Sequence, residues 1–238
     1  MIHNRKTFTF DGVTSSTYGV YISGGGVFNA ASRDITVLEI PGKNGVLTLD
    51  NGRFETIRHK YAAFVVPDFP ANIQGLRNAL MSKRGFKRLT DGYNTDEFYL
   101  AYFENGLSVS PSDTLQEGTL NIEFVRDPRR FLTSGETVTT LTADGSITNP
   151  TLFDSRPLLR VYGAGVLGIG DQYITISAAD VYTDIDCEMM ECFKGATPKN
   201  RYVSFSGDDF PVLHPGSNGF DLQSGITRVD ITPRWFRL

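Results

Sequence analysis

Residues 163–168, Gly163-Ala164-Gly165-Val166-Leu167-Gly168, match G-x-G-x-x-G letter for letter. That spacing can cradle a pyrophosphate, but only where the glycines open a helix whose N-terminus meets the phosphates. Here a strand-like run, 158–162, leads in, and Gly170-Asp171 followed by Tyr173-Ile174-Thr175-Ile176 leads out. A glycine-rich hairpin accounts for this better than a dinucleotide site. The three histidines, His3, His59 and His214, do not pair with one another or with a cysteine at metal-ligand spacing. His214 falls in the turn Leu213-His214-Pro215-Gly216 and His59 in a strand beside Lys60, so ordinary surface or turn histidines are expected. Glu188, Glu191, Asp208 and Asp209 could flank a glycosidic bond as a carboxylate pair. Yet Glu188 and Glu191 differ in strand parity, and Asp208-Asp209 follows the turn signal Ser206-Gly207, which reads as solvated charge. No H-E-x-x-H, G-x-S-x-G or P-loop motif is present. The expectation is a chain with no catalytic residues, no cofactor and no metal: not an enzyme.

Cys187 and Cys192 lie in a run, 185–192, that reads as one strand. Residues five apart on a strand point to opposite faces about 16–17 Å apart, beyond the ~7 Å Cα separation a disulfide tolerates. Free thiols in a reducing compartment are therefore expected. No apolar segment follows the basic start, so no secretory signal is read, and the longest fully apolar run, 61–66, is far short of a bilayer span. A soluble protein assembled in a cytoplasm is the expectation. The net charge of −4 sits in the C-terminal part: residues 1–140 carry 15 Lys/Arg against 15 Asp/Glu, and residues 141–238 carry 8 against 12. Neither part has the basic excess of a sequence-independent nucleic-acid binder.

Many aromatic residues and 24 glycines, with few helix-forming runs, favour strands joined by turns. Strands are expected around Phe8 and Phe10, at 20–22, 35–40, 46–49, 58–66 and 96–103, and at 119–124, where Leu120, Ile122 and Phe124 alternate with Thr119, Asn121 and Glu123. Pro41-Gly42-Lys43-Asn44-Gly45 is a turn signal. One helix is predicted after Asp68 as N-cap, with Pro70 in its first turn and Ile73, Leu76, Ala79 and Leu80 at helical spacing. Lys83, Arg84, Lys87 and Arg88 cluster where it should end and suit the negative end of its dipole, the alternative being a phosphate-facing patch. The polar stretch 132–148 reads as a domain boundary. Short strands follow at 158–162, 173–177, 185–192, 202–205 and 228–231, the pattern of a small antiparallel sandwich. Phe8, Phe10, Tyr18 and Tyr21 read equally as core or as an oligomer interface.

Several blocks then resemble one family in chain order. Residues 149–163, from Asn149-Pro150 to Tyr162-Gly163, look like the start of the second domain of distal tail proteins from siphophages of Gram-positive hosts. Residues 185–195 resemble that family's next block, 210–218 the turn after it, and Ile231-Thr232-Pro233-Arg234-Trp235-Phe236-Arg237-Leu238 its basic-aromatic end. Phe8-Thr9-Phe10-Asp11-Gly12, Ser15-Ser16 and Tyr18-Gly19 are similar to its opening, and 41–45 to its first loop. Residues 90–113 match least.

The resemblance implies a mainly β chain: an N-terminal tail-tube-like β domain with one helix, residues 1–133, then a galectin-like antiparallel β-sandwich, residues 134–238. It implies a hexameric ring at the virion tail tip, with DNA passing through without specific binding and no membrane contact. The ring would join the tail tube protein to the tail-associated hub protein and, in some phages, a receptor-binding protein. Phe8, Phe10, Tyr18 and Tyr21 are then ring-interface candidates. Two other classes compete. A carbohydrate-binding module contacting the host surface would favour an exposed Trp platform, but the only Trp is Trp235. A tail glycosidase or peptidase would depend on Glu188 or Asp209. Residues 149–238 number 90, and a single immunoglobulin-like sandwich already uses about 100. No grafted sugar-binding module is expected, and a scaffold is.

Overall fold

The computed structural model describes every residue except 1–4, 27, 28, 105 and 224, so His3 lies outside the described residues. The chain divides into two compact units, Met1–Arg130 together with Leu238, and Phe131–Arg237.

The first unit is built on one antiparallel sheet. Its strands are β1 (Phe8–Phe10), β2 (Val13–Thr14), β3 (Val20–Ser23), β6 (Ile57–Val65), β7 (Lys87–Asp91), β8 (Glu97–Tyr102) and β10 (Gly118–Arg126), in the order β2-β1-β7-β8-β10-β6-β3. Strand β9 (Ser108–Pro111) adds to β10. The longest ladder, β10 on β6, runs from Gly118↔Val65 to Arg126↔Ile57. Both strands alternate as the sequence pattern requires: Leu120, Ile122 and Phe124 are buried opposite Ala63, Tyr61 and His59, whereas Thr119 and Asn121 are exposed. The helix α1 (Phe69–Met81) closes that face with Phe69, Ile73, Leu76 and Leu80. Asp68 occupies the N-cap in a left-handed conformation (φ 55°), and its side chain makes no capping bond.

The basic cluster behaves differently from expectation. The helix ends at Met81 with no basic residue in its last turn, so the dipole explanation does not apply. Lys83 instead pairs with Asp11 at 3.0 Å, and the Arg88 guanidinium lies 3.8 Å from the centre of the Phe98 ring. A separate two-stranded sheet, β4 (Arg33–Glu39) and β5 (Val46–Phe54), leads directly into β6.

The short strand β11 (Arg130–Leu132) spans the division between units. The second unit is a two-sheet sandwich. One sheet runs β12 (Thr139–Leu141), β22 (Ile226–Thr232), β14 (Leu158–Gly163), β17 (Tyr182–Asp186), β18 (Glu191–Lys194), β19 (Thr197–Pro198). The other runs β13 (Gly145–Asn149), β21 (Gly216–Leu222), β15 (Gly165–Ile169), β16 (Gln172–Ile176), β20 (Val203–Phe205). Leu159, Val161, Ile185, Val229 and Ile231 from the first meet Leu167, Ile169, Ile174, Ile176 and Phe220 from the second in one core.

Two expectations are corrected in this unit. Residues 132–148 are structured, holding β12 and the start of β13. Each is the end strand of its sheet, so one side of its backbone needs no partner and few large apolar residues suffice. Residues 185–192 are two strands and not one: Ile185 faces Cys192 and Asp186 faces Glu191 across a tight turn with Met190 at φ 55°. Both cysteines are free and buried in the same core. As expected, the glycines of 163–168 open no helix: they carry the chain from one sheet to the other and into a β15–β16 hairpin paired from Gly165↔Ile176 to Ile169↔Gln172. Gly163 (φ 99°) and Gly225 (φ 98°) pass so closely that a Cβ on Gly163 would lie 2.0 Å from the Gly225 carbonyl oxygen, which no other residue tolerates.

Candidate assembly surface

Seven large apolar residues stand exposed on the β4–β5 ribbon and its turn. Ile35, Val37, Leu38, Ile40, Val46, Leu47 and Leu49 are each 43–58% exposed. The register Val37↔Thr48, Leu38↔Leu47 and Glu39↔Val46 sorts them by face, because directly paired residues point the same way. One face bears Leu38, Leu47 and Leu49 in a row; the other bears Ile35, Val37 and Val46 among Thr48, Asp50 and Glu39. Near the base, charges are matched internally: Arg33 pairs with Asp50 at 3.1 Å and Arg53 with Asp34 at 2.5 Å, and Asn51 donates to Asp34 at 2.9 Å. The bonds from Asn51 and Arg53 hold the Asp34 carboxyl below its ordinary pKa. An isolated two-stranded ribbon is marginal in water, and aliphatic residues on both of its faces have no core of their own to enter.

Of the four aromatic interface candidates, the structure removes two and pins a third. Phe8 and Phe10 are fully buried and pack on Tyr61 and Phe124. They sit on the inward side of β1 and present nothing to a neighbour. Tyr18, half-buried, lies where a Cβ on Gly75 of α1 would meet its ring at 2.9 Å, so it seats the helix. Tyr21 lies on the outer side of β3, half-buried against Phe64 with ring centres 5.6 Å apart. The ribbon was legible as two apolar runs around a turn, but with nothing in the sequence to say that neither face is covered.

The carboxylates weighed for glycosidic chemistry are not assembled into a pair by one element. Glu188 lies in the β17–β18 turn and Glu191 opens β18, whereas Asp208 and Asp209 lie in an exposed bend after β20. Asp209 reaches Arg156 at 3.5 Å. His214 is exposed and its Nδ1 lies 2.9 Å from Asp154. No cluster suited to a metal occurs among the described residues.

His59 departs from the surface role expected of it. It is 1% exposed, sits 4.5 Å from the Tyr61 ring and 5.3 Å from the Tyr99 ring, and neither ring nitrogen finds a hydrogen-bond partner among the described residues. Burial, reinforced by the nearby Arg126 guanidinium, lowers its pKa to about 4. Beside it, Tyr61 donates to Asp91 at 2.7 Å, and Asp91 also accepts the backbone N–H groups of Tyr93 and Asn94. Burial and the Asp91 charge together raise the Tyr61 pKa well above its ordinary value. These groups bind the sheet together from within.

No protein-family model matches the sequence, and no curated protein matches it. Solved structures do. The SPP1 Dit (gp 19.1) protein, described as a paradigm of the hub adsorption apparatus in phages infecting Gram-positive bacteria, aligns over 98% of this chain and 99% of its own with a TM-score of 0.76 at 15% identity. A chain of the phage P2 baseplate in its activated conformation with Ca aligns over 95% and 97% with a TM-score of 0.52 at 9% identity. A chain of the same baseplate with Sr aligns over 98% of each with a TM-score of 0.52 at 9% identity. Across nearly its whole length, the chain has the fold of the SPP1 Dit protein.

Proposed function

We propose that this chain is a structural protein of a phage tail tip, acting as a distal tail protein and not as an enzyme. Six copies form a ring through their first units, with DNA passing through the opening without specific contacts. The second unit is the outward-facing sandwich. The ring joins the tail tube protein to the tail-associated hub protein and supports the host-recognition apparatus, in some phages a receptor-binding protein. Assembly takes place in the host cytoplasm, and no cofactor is required. The observation that carries the reading is the β4–β5 ribbon, whose aliphatic side chains are exposed on both faces. Contiguous apolar surface of this kind marks an interaction site. The end-to-end likeness to an adsorption-apparatus protein supplies the context.

Mass photometry of the purified chain, alone and with the hub and tube proteins, tests this. A six-fold mass is expected in at least one condition. It is lost in the double variant Leu38→Asp, Leu47→Asp, while far-UV circular dichroism is unchanged because both side chains are exposed in the single copy. A strict monomer in the presence of both tail neighbours refutes the reading.

A further inference from the structure

We propose that the outer face of the sheet β13-β21-β15-β16-β20 carries a saccharide-binding trough centred on Tyr173, shaped for an uncharged or amine-bearing oligosaccharide. This goes beyond the scaffold role and does not depend on it. The trough belongs to the sandwich itself, with no grafted module.

Strand alternation defines the face. Leu167, Ile169, Ile174, Ile176 and Phe220 point into the core, so Gly168, Tyr173, Gly219 and Asp221 point outward. The register places Tyr173 opposite Gly168, and Asp221 opposite Gly168 on its other side, so the three form one row across β16, β15 and β21. Because Gly168 has no side chain, the Tyr173 ring leans over it. Its Cε1 and Cδ1 atoms lie 3.4 and 3.6 Å from where a Cβ would be, yet the residue remains 43% exposed. An aromatic ring is thus braced against the sheet while still open to solvent. Such a ring offers a stacking surface for the C–H face of a sugar and loses little freedom on binding, since it is already held.

Beside the ring the surface is hollow. Nothing lies within 4 Å of the position a Cβ on Gly219 would take. The opening, about 260 Å³, is lined by Tyr173, Gly168, Gly219, Asp144 and Asp221. The two carboxylates are oriented in advance: Asp144 Oδ1 accepts the Leu222 N–H at 2.9 Å, and Asp221 Oδ2 accepts from Gln223 Nε2 at 3.0 Å. A carboxylate has further acceptor capacity beyond one such bond, which a hydroxyl or ammonium proton can use. Tyr173 also lines a second cleft, of about 460 Å³, with Ser206, Asp208, Asp209 and Phe210. One ring thus borders two openings, which suits a chain of sugars better than a single residue. The carboxylates in both openings disfavour phosphate-bearing polymers and favour neutral or amine-bearing ones.

Saturation-transfer NMR on the full chain tests the trough. The probes are maltotetraose, cellotetraose, chitotetraose and the tetramer of glucosamine, with polyglycerol phosphate as the anionic comparison. At least one of the four sugars should give saturable transfer. Tyr173→Ala and Gly219→Leu should each weaken it at least tenfold. Gly219→Leu fills the opening at a position with room for a side chain, so its melting temperature and oligomer mass should match the parent. Absence of transfer from all four sugars, transfer undiminished in Gly219→Leu, or preference for polyglycerol phosphate overturns the proposal. The oligomer mass is read separately, so loss of sugar binding leaves the ring assignment intact.

Discussion

Arg234 donates through Nη1 and Nη2 to the two oxygens of Asp186, at 2.7 and 2.8 Å. The same carboxylate accepts the backbone N–H groups of Glu188 and Met189, both at 3.0 Å. One side chain therefore closes the β17–β18 turn and ties it to the C-terminal segment of the unit.

Burial pushes the Asp186 carboxyl up, but the Arg234 bonds and the two N–H groups outweigh it and hold the pKa below 3.8. A depressed carboxylate stabilises the folded state above its unfolded pKa and loses that contribution as pH falls through the folded value. Asp186→Ala leaves Arg234 without its partner and should cost about 3 kcal/mol. Urea denaturation of the second unit's transition should show that loss at pH 7, and a much smaller difference from the parent at pH 2.

His59 acts in a different window. Its folded pKa is near 4 against an ordinary 6.5, so between these values the unfolded chain binds a proton that the folded chain refuses. Stability of the first unit should fall as pH drops from 6.5 to 4 and level off below, by about 3 kcal/mol in total. In His59→Phe this slope should vanish. Melting curves at half-unit pH steps would decide it, and an unchanged slope in the variant would refute the assignment.

The two thiols should be inert in the folded protein. Burial raises the pKa of Cys187 far above the thiol range and that of Cys192 to about 12. Because the thiolate is the reactive form, Ellman's reagent at pH 8 should titrate neither until denaturant is added, and then both. Prompt reaction of either in buffer alone would contradict their burial.

Limited trypsin digestion should cut first at Lys43, in the exposed turn between β4 and β5. Residues 132–148, despite their composition, should resist because both strands there are hydrogen-bonded into sheets. In the assembled particle the Lys43 cut should slow if the ribbon is covered. An early cut within 132–148 would show that β12 and β13 open readily.

Much of this architecture can be read from residue order. The alternation of Leu120, Ile122 and Phe124 and the spacing of Ile73, Leu76 and Leu80 each predict the buried face observed. The readings that fail do so where a local pattern has two tertiary outcomes. A polar run such as 139–148 is a linker or an end strand, depending on what lies beside it. Residues 185–192 form one strand or a hairpin, depending on whether Met190 adopts a positive φ. A histidine between Arg58 and Lys60 looks exposed, but the period of two turns His59 inward with Tyr61. Phe8 and Phe10 were equally consistent with core and contact, and only closure of the sheet decides between them. The Tyr173 groove depends on Gly168 and Asp221 being cross-strand neighbours, which no local spacing shows.

The charges at the base of the β4–β5 ribbon are satisfied within it, whereas its outer half is aliphatic. Association through such a surface has little Coulombic character, so it is nearly indifferent to ionic strength. It carries a negative heat-capacity change and is driven by the release of water near room temperature. Contacts of that kind weaken on cooling, which makes an assembly joined through the ribbon cold-labile and salt-tolerant.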